Sequence, residues 1–478
     1  MRPREPIYDS EALLMGASPS ELRALKQALL AERYRGDPVS WMRERLGEFA
    51  WSKQAEIARS VIEHRHTAVR ACHDSGKSFI AARAACWWID VHPPREAFVV
   101  TTAPTAAQVR AILWREMHQA HARGGLPGKM NQTEWLMDGE LVAYGRRPSD
   151  FDDAAFQGIH ARYVLVILDE ASGIPESIWT AAETLIANEG CRLLAIGNPV
   201  DPNGDFAKAC RPGSGWNVIG ISAFETPNFT NEEVPDALRP LLVSPTWVEE
   251  RKGWGEGSPL WTAKILGEFP DESDDDLIPL SWVQRARERE LAPDGEISLG
   301  VDVARAGSSE TVIMLRRGPV ARCVQARTGQ DTMRTAGEVI RALRTHGAEI
   351  AKVDEVGVGG GVVDRLREQK IPVVGITGGA RPKNPRRFAN LRAESYWALR
   401  ELFELGAIDI DPEDDVLAEQ LCSIRHAPDS TGRTRIESKE AMRARGLPSP
   451  DRADALALSF IPAETRRHAR VTRARIRS

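Results

Sequence analysis

The spacing of hydrophobic positions changes several times along this 478-residue chain. Over residues 18–35, SPSELRALKQALLAERYR sets Leu22, Leu25, Leu29 and Leu30 along one stripe at helical spacing, with Ser18 or Ser20 as the cap. From 51 to 220, helix-period stretches alternate with short apolar runs: TAVRAC (67–72), AFVVTTA (97–103), YVLVILDE (163–170) and RLLAIGNP (192–199). Apolar runs without alternation, separated by helices, predict a parallel sheet buried on both faces. Residues 221–270 are mixed and rich in Trp, Pro and Gly. After DESDDDLIPLS the pattern restarts, with EISLGVDVA (296–304), TVIMLRRG (311–318) and ARCVQART (321–328) as strands at hairpin spacing. A helix over 331–347, a buried strand at EIAKVDEVG (349–357) and helices near 386–405 and 450–462 complete it.

These changes divide the chain into a helical segment (1–50), an α/β domain (51–270), an acidic linker (271–280), a second α/β domain (281–465) and a basic tail (466–478). A length of 478 residues allows two to four domains, and 42% hydrophobic with 27% charged residues is ordinary globular composition. The net charge of −5 argues against a uniformly basic nucleic-acid binder, but it conceals an asymmetry. Residues 1–270 carry 35 acids and 29 bases, residues 271–276 five acids, and residues 277–478 carry 28 acids and 34 bases. The six cysteines form no CxxC pair, which excludes the common zinc and redox motifs and fits a reducing cytosol. No window approaches 18 uncharged apolar residues, and no N-terminal apolar run suggests a signal peptide.

Two constellations carry chemistry. HDSGKSFIAARAA lies between an apolar run and a helix-prone stretch, where a phosphate loop belongs. Its backbone N–H groups at Asp74, Ser75 and Gly76 would cradle phosphates, Lys77 would neutralise β/γ charge, and the Ser78 hydroxyl would ligate Mg²⁺. Ala71 stands where the full pattern has its first glycine, so the tripeptide alone is weak. VLVILDEAS (164–172), about 90 residues on, raises its weight: Asp169 can hold the water shell of Mg²⁺ and Glu170 can polarise an attacking water. A solvated acidic turn is the alternative. Gln54 precedes the loop, where an amide would read adenine, unless it is simply an exposed helical residue. Asn198, in a Gly-Asn-Pro turn at a strand end, would sense the γ-phosphate, unless the turn is structural.

In the back half, Asp302 in LGVDVA, Asp354 in IAKVDEVG and Asp454 in SPDRADALALSF sit at the ends of hydrophobic elements. Three carboxylates in one pocket repel unless divalent cations neutralise them, and a pair of Mg²⁺ ions would activate water and stabilise the leaving oxygen of a phosphodiester. Asp451, three residues before Asp454, is a fourth ligand or a helix N-cap. GVGGG (357–361) lacks a following Lys-Ser and reads as a tight strand-to-helix turn. Arg381, Lys383, Arg386, Arg387 and Arg392, with Lys439, Arg443 and Arg445, would track a phosphate backbone.

A degenerate Walker A loop, a DEA strand, GNP and then an acid-lined second domain ending in ESKEAMRARGLPSPDRADALALS resemble the large terminase subunit of tailed phages and prophages, over residues 50–462. The resemblance implies an ASCE-type P-loop ATPase with a mostly parallel sheet, followed by a mixed α/β nuclease domain like RNase H and RuvC. It implies ATP and Mg²⁺, with Mn²⁺ able to serve the nuclease. Lys77 and Ser78 would bind phosphates and metal, Asp169 would hold Mg²⁺, Glu170 would be the base, and Asn198 would couple hydrolysis to movement. Asp302, Asp354 and Asp454 would hold the nuclease metals. It implies double-stranded DNA, a portal protein and a small terminase subunit as partners. It also implies a homo-oligomeric ring, of five subunits by expectation, on the procapsid in the host cytoplasm, with no membrane; away from the procapsid a monomer is compatible with it. The arginine finger has no clear match. Arg146, or Arg147 beside it in a turn before the DEA strand, would reach a neighbour's γ-phosphate; Arg70 is the candidate in the same chain. A DNA helicase or repair ATPase fused to an RNase H-like module is the alternative function.

Overall fold

The computed structural model describes residues 28–29, 31–93, 95–146, 161–304 and 309–462. The chain forms two compact units, residues 1–271 and 272–478. The predicted helix over 18–35 lies mostly outside the described residues, as do Arg147 and the basic tail.

The first unit holds one eight-stranded sheet. Its strands are β1 (His66–Ala71), β2 (Ala97–Thr102), β3 (Lys129–Met130), β4 (Glu134–Met137), β5 (Glu140–Arg146), β6 (Tyr163–Asp169), β7 (Arg192–Gly197) and β8 (Asn217–Ile221). The order is β3-β4-β5-β2-β6-β7-β1-β8. Six strands from β5 to β8 run parallel, and β4 and β3 extend one edge antiparallel. All four predicted runs are central strands. β7 lies between the strand leading into HDSGKS and the strand ending in Asp169. Helices α1 (Ser52–Glu63), α2 (Lys77–Val91) and α3 (Arg115–Gly124) flank it, while Val164, Val166 and Leu168 pack with Ile178 and Trp179 of α4 (Glu176–Leu185). Burial on both faces is why these runs do not alternate.

The second unit is a five-stranded mixed sheet in the order β11-β10-β9-β12-β13. β9 (Ile297–Asp302), β10 (Thr311–Arg317) and β11 (Val320–Arg327) are antiparallel; β12 (Ile350–Asp354) and β13 (Val373–Ile376) run parallel to β9. This is the mixed α/β arrangement expected of the second domain. After α5 (Leu280–Glu288), helices α6 (Thr332–His346) and α7 (Gly359–Glu368) cover one face through Val339, Leu343, Val362 and Leu366. α8 (Leu391–Glu404), α9 (Asp415–Ser423), α10 (Lys439–Ala444) and α11 (Asp451–Phe460) follow, with a small hairpin of β14 (His426–Pro428) and β15 (Thr434–Ile436). The acid run is continuous with this unit: Leu277 and Ile278 are buried, and the Leu277 N–H donates to Ile424 O at 3.0 Å. Among the described residues no helix is long and apolar enough to cross a membrane.

Candidate active sites

In the first unit the parallel strands end on one edge, the place where α/β sheets bind ligands. β1 ends at Ala71, and residues 72–76 loop into α2. Asp74 and Gly76 take φ of +48° and +80°. The left-handed backbone favours glycine at 76, and a Cβ there would lie 2.3 Å from Gln54 Nε2, so the Gln54 amide would have to shift. The missing first glycine has a local explanation. Ala71 is still extended strand, and its carbonyl accepts from Asn198 Nδ2 at 2.7 Å, so no left-handed residue is needed. The loop is braced from outside by Cys72 N–H to Ile221 O, His73 N–H to Lys264 O and Val243 N–H to Asp74 O, at 2.8–3.1 Å.

Lys77, Ser78, Asp169, Glu170 and Asn198 meet in one cluster. The Lys77 ammonium lies 3.3 Å from Glu170 Oε1 and 3.5 Å from Asn198 Oδ1, and Ser78 Oγ donates to Asp169 Oδ1 at 3.2 Å. Burial works against the charge on Lys77, but Glu170 and Asp169 outweigh it and raise its pKa. Asp169 is fully buried, and its pKa is pushed up to about 7 by that burial and by the neighbouring Glu170 charge. Its Oδ2 and the Ser75 hydroxyl are buried without a protein partner. Buried orphan oxygens of this kind call for an explanation, and a hard cation such as Mg²⁺ with its waters fits them. Glu170 has φ +49°, uncommon for a residue with a side chain. That turn brings Glu170 Oε2 within 3.4 Å of the Asn198 N–H.

Gln54 is 1% exposed, so it is no surface residue. Its Nε2 donates to Gly76 O at 3.3 Å and its Oε1 accepts from Trp51 N at 3.3 Å. Its amide thus shapes the loop. Arg146 ends strand β5 instead of lying in a turn, and its guanidinium stacks on Tyr144 at 4.7 Å. β5 stands four strand spacings from β1, roughly 19 Å, and two from β6, whose end carries Asp169, roughly 10 Å. Arg70 bonds Gly267 O at 2.7 Å and Glu268 at 2.6 Å, a structural clasp.

In the second unit, Asp302 and Asp354 are the last residues of neighbouring parallel strands, with Val301 paired to Val353. α11 crosses close above them because Gly300 has no side chain; a Cβ there would lie 2.0 Å from Ala455 O. The crossing brings in Asp454. Asp451 is the first helical residue, after Pro450 as N-cap, and accepts from Glu310 N–H at 2.7 Å and from the Ser449 hydroxyl. GVGGG is a strand-to-helix turn: Gly357 has φ +63°, and a Cβ on Gly359 would collide with Asp354 O.

The centre of the acid cluster is an ammonium. Lys439 Nζ lies 2.9 Å from Asp454 and 3.5 Å from both Asp302 and Asp451. Among the described residues no three His, Cys, Asp or Glu side chains converge as a ready metal cage. Lys439 occupies the space such a cage would enclose, and the carboxylate oxygens around it are the ligand type that Mg²⁺ or Mn²⁺ takes. Burial, despite Lys439, holds the Asp302 carboxyl well above its usual range, with Asp454, Asp451 and Asp354 adding to it. Asp454 is buried too, yet Arg392 at 3.3 Å and Lys439 keep it low. Tyr396 Oη donates to Asp454 Oδ1 at 2.6 Å. Burial also raises Asp354, against the Val356 N–H it accepts at 3.1 Å. The roles of Lys439, Arg392 and Tyr396 as partners of the acids were not legible in the chain, where the two bases read as backbone contacts. Replacing Lys439 by Ala should therefore raise Mn²⁺ affinity at this cluster by about tenfold, since one competing charge is removed. Calorimetric titration checks this; unchanged or weaker binding would mean that Lys439 does not compete.

No family model matches the chain. Over 147 residues it is 29% identical to a protein described as a probable terminase, large subunit, of Enterobacteria phage P7. The match covers 29% of this chain, and the chain spans only 28% of that relative's length. Among solved structures, the large terminase of a thermophilic bacteriophage is 13% identical, covering 86% of this chain and 98% of that one, with TM-score 0.41. The nuclease domain of the large terminase subunit of bacterial virus Sf6 is 22% identical, covering 39% of this chain and all of that one, with TM-score 0.37. The chain is thus similar to large terminase subunits.

Proposed function

We propose that the chain is an ATP-driven motor that moves double-stranded DNA into procapsids and cuts it with a divalent-metal endonuclease. The observation that carries the reading is the presence of two separate acid sites at strand ends of one chain. One surrounds a phosphate loop; the other surrounds an ammonium in a cleft with no such loop.

In the first unit, Lys77 and the N-terminus of α2 would hold the β- and γ-phosphates. Ser78 and Asp169 would hold Mg²⁺, and Glu170 would take the proton of the attacking water. Asn198 touches Lys77, the Glu170 carboxylate and the Ala71 carbonyl, so a change at the γ-phosphate would reach β1 through it. In the second unit, Asp302, Asp354 and Asp454 would hold the metals, with Asp451 as an outer ligand. Bound cations would offset phosphate charge and lower the pKa of the attacking water. Tyr396 and Arg392 would fix the Asp454 carboxylate. Arg146 would serve as the finger for a neighbouring subunit in a ring on a portal. The test is separation of function: one substitution in each site should remove one activity and spare the other.

A further inference from the structure

We propose that the nuclease cleft accepts a nucleotide whose base has left the stack, and that Val356 is the positioning residue that parts it from its neighbour. This rests on reading Asp302, Asp354 and Asp454 as a phosphodiester-cutting site. The cleft has a volume of about 430 Å³, in the lower part of the range for pockets that enclose small molecules, roughly 300–1,000 Å³. Beside the acids and the bases Arg392 and Lys439, part of its lining is apolar: Ile376, Leu391, Ile436, Leu458 and Ile461. A groove serving only a phosphate backbone is lined by basic and polar groups. An apolar wall adjoining the reacting phosphate suits the flat apolar face of a base. Gly378 and Gly379 line the same cleft and leave room for it.

Val356 lies at this cleft and is 57% exposed, a branched aliphatic side chain left in water two residues after Asp354. Its backbone N–H donates to Asp354 Oδ1, which fixes the backbone at Val356 beside the acid. Aliphatic side chains inserted between base steps unstack them. Exposed Arg381, Lys383, Arg386 and Arg387 follow the two glycines and supply charge for the flanking backbone. The substrate class is accordingly DNA that is locally unpaired, or that the protein unpairs at the cut.

The test uses the full chain with Mn²⁺ and three end-labelled DNAs: an intact duplex, the same duplex with one mismatch, and the single strand. The mismatch should be cut within a few nucleotides of the mispair, roughly tenfold or more faster than the intact duplex, because unpairing is cheapest there. Val356→Ser should slow the intact duplex by about tenfold and leave the single strand within about twofold. Equal rates on intact and mismatched DNA, or equal slowing of all three substrates, would overturn the proposal. No cutting of any DNA by the unaltered chain would overturn the nuclease reading, and this inference with it.

Discussion

Glu170→Gln is expected to lower DNA-stimulated ATP hydrolysis by about 10²–10⁴-fold, the range for removal of a general base. The amide has the carboxylate's shape, so the left-handed backbone at 170 and the approach to Lys77 at 3.3 Å can persist. What is lost is the carboxylate beside Lys77 that can accept the proton. Asp169 is the less suited acceptor: its Oδ1 is taken by Ser78, its Oδ2 is buried, and it sits at the strand end as the candidate metal ligand. Binding of a fluorescent nucleotide should stay within a few-fold. Mn²⁺-dependent DNA cutting should not change, because that site lies in the other unit. Phosphate release under saturating ATP is the measurement; hydrolysis near the unaltered rate would remove Glu170 from the mechanism.

Asp302→Asn is expected to do the reverse, lowering DNA cutting by about 10³-fold, since a metal-holding carboxylate supports several kcal/mol of charge stabilisation in the transition state. ATP hydrolysis should be unaffected. The substitution should also leave the fold intact, for a reason specific to this residue. A carboxyl whose folded pKa is raised above its unfolded value resists ionisation in the native state, so the ionised form costs stability at neutral pH. A neutral amide of the same shape avoids that cost, and the melting temperature should hold or rise. A variant that cuts DNA normally would exclude Asp302 as a metal ligand; one that fails to cut and melts far lower would point to a structural role.

Much of this architecture was legible from one physical signal. Strands buried on both faces read as continuous apolar runs, which is why β1, β2, β6 and β7, and then β9, β10 and β12, stood out. The strands that were not legible lack that signal. β3 has two residues, and β4 and β5 form an edge extension with exposed positions such as Glu134 and Glu140; β8 lies at the other edge. The candidate residues were legible because chemistry at strand ends leaves short motifs: GKS, DEA, GNP and the aspartates after apolar runs. What was not legible was long-range. Nothing near Lys439 in the sequence says that its ammonium sits among Asp302, Asp451 and Asp454, which are 137, 12 and 15 residues away. Tyr396 looked like an ordinary helical aromatic until its hydroxyl met Asp454. Gln54 shows the same limit: the motif flagged it, but its contact with Gly76 depends on how α1 packs against the loop.

The central claim is that one chain carries two independent divalent-cation sites, one for a nucleotide and one for a DNA strand. The most direct measurement is an anomalous-scattering map from crystals of the full chain grown with Mn²⁺ and a non-hydrolysable ATP analogue. The account predicts one manganese peak between Ser78, Asp169 and the β/γ-phosphates, and at least one more among Asp302, Asp354 and Asp454 with Lys439 displaced from the centre. Nucleotide bound away from the Lys77 loop, or no manganese at the second cluster with Lys439 still in place at saturating metal, would contradict it.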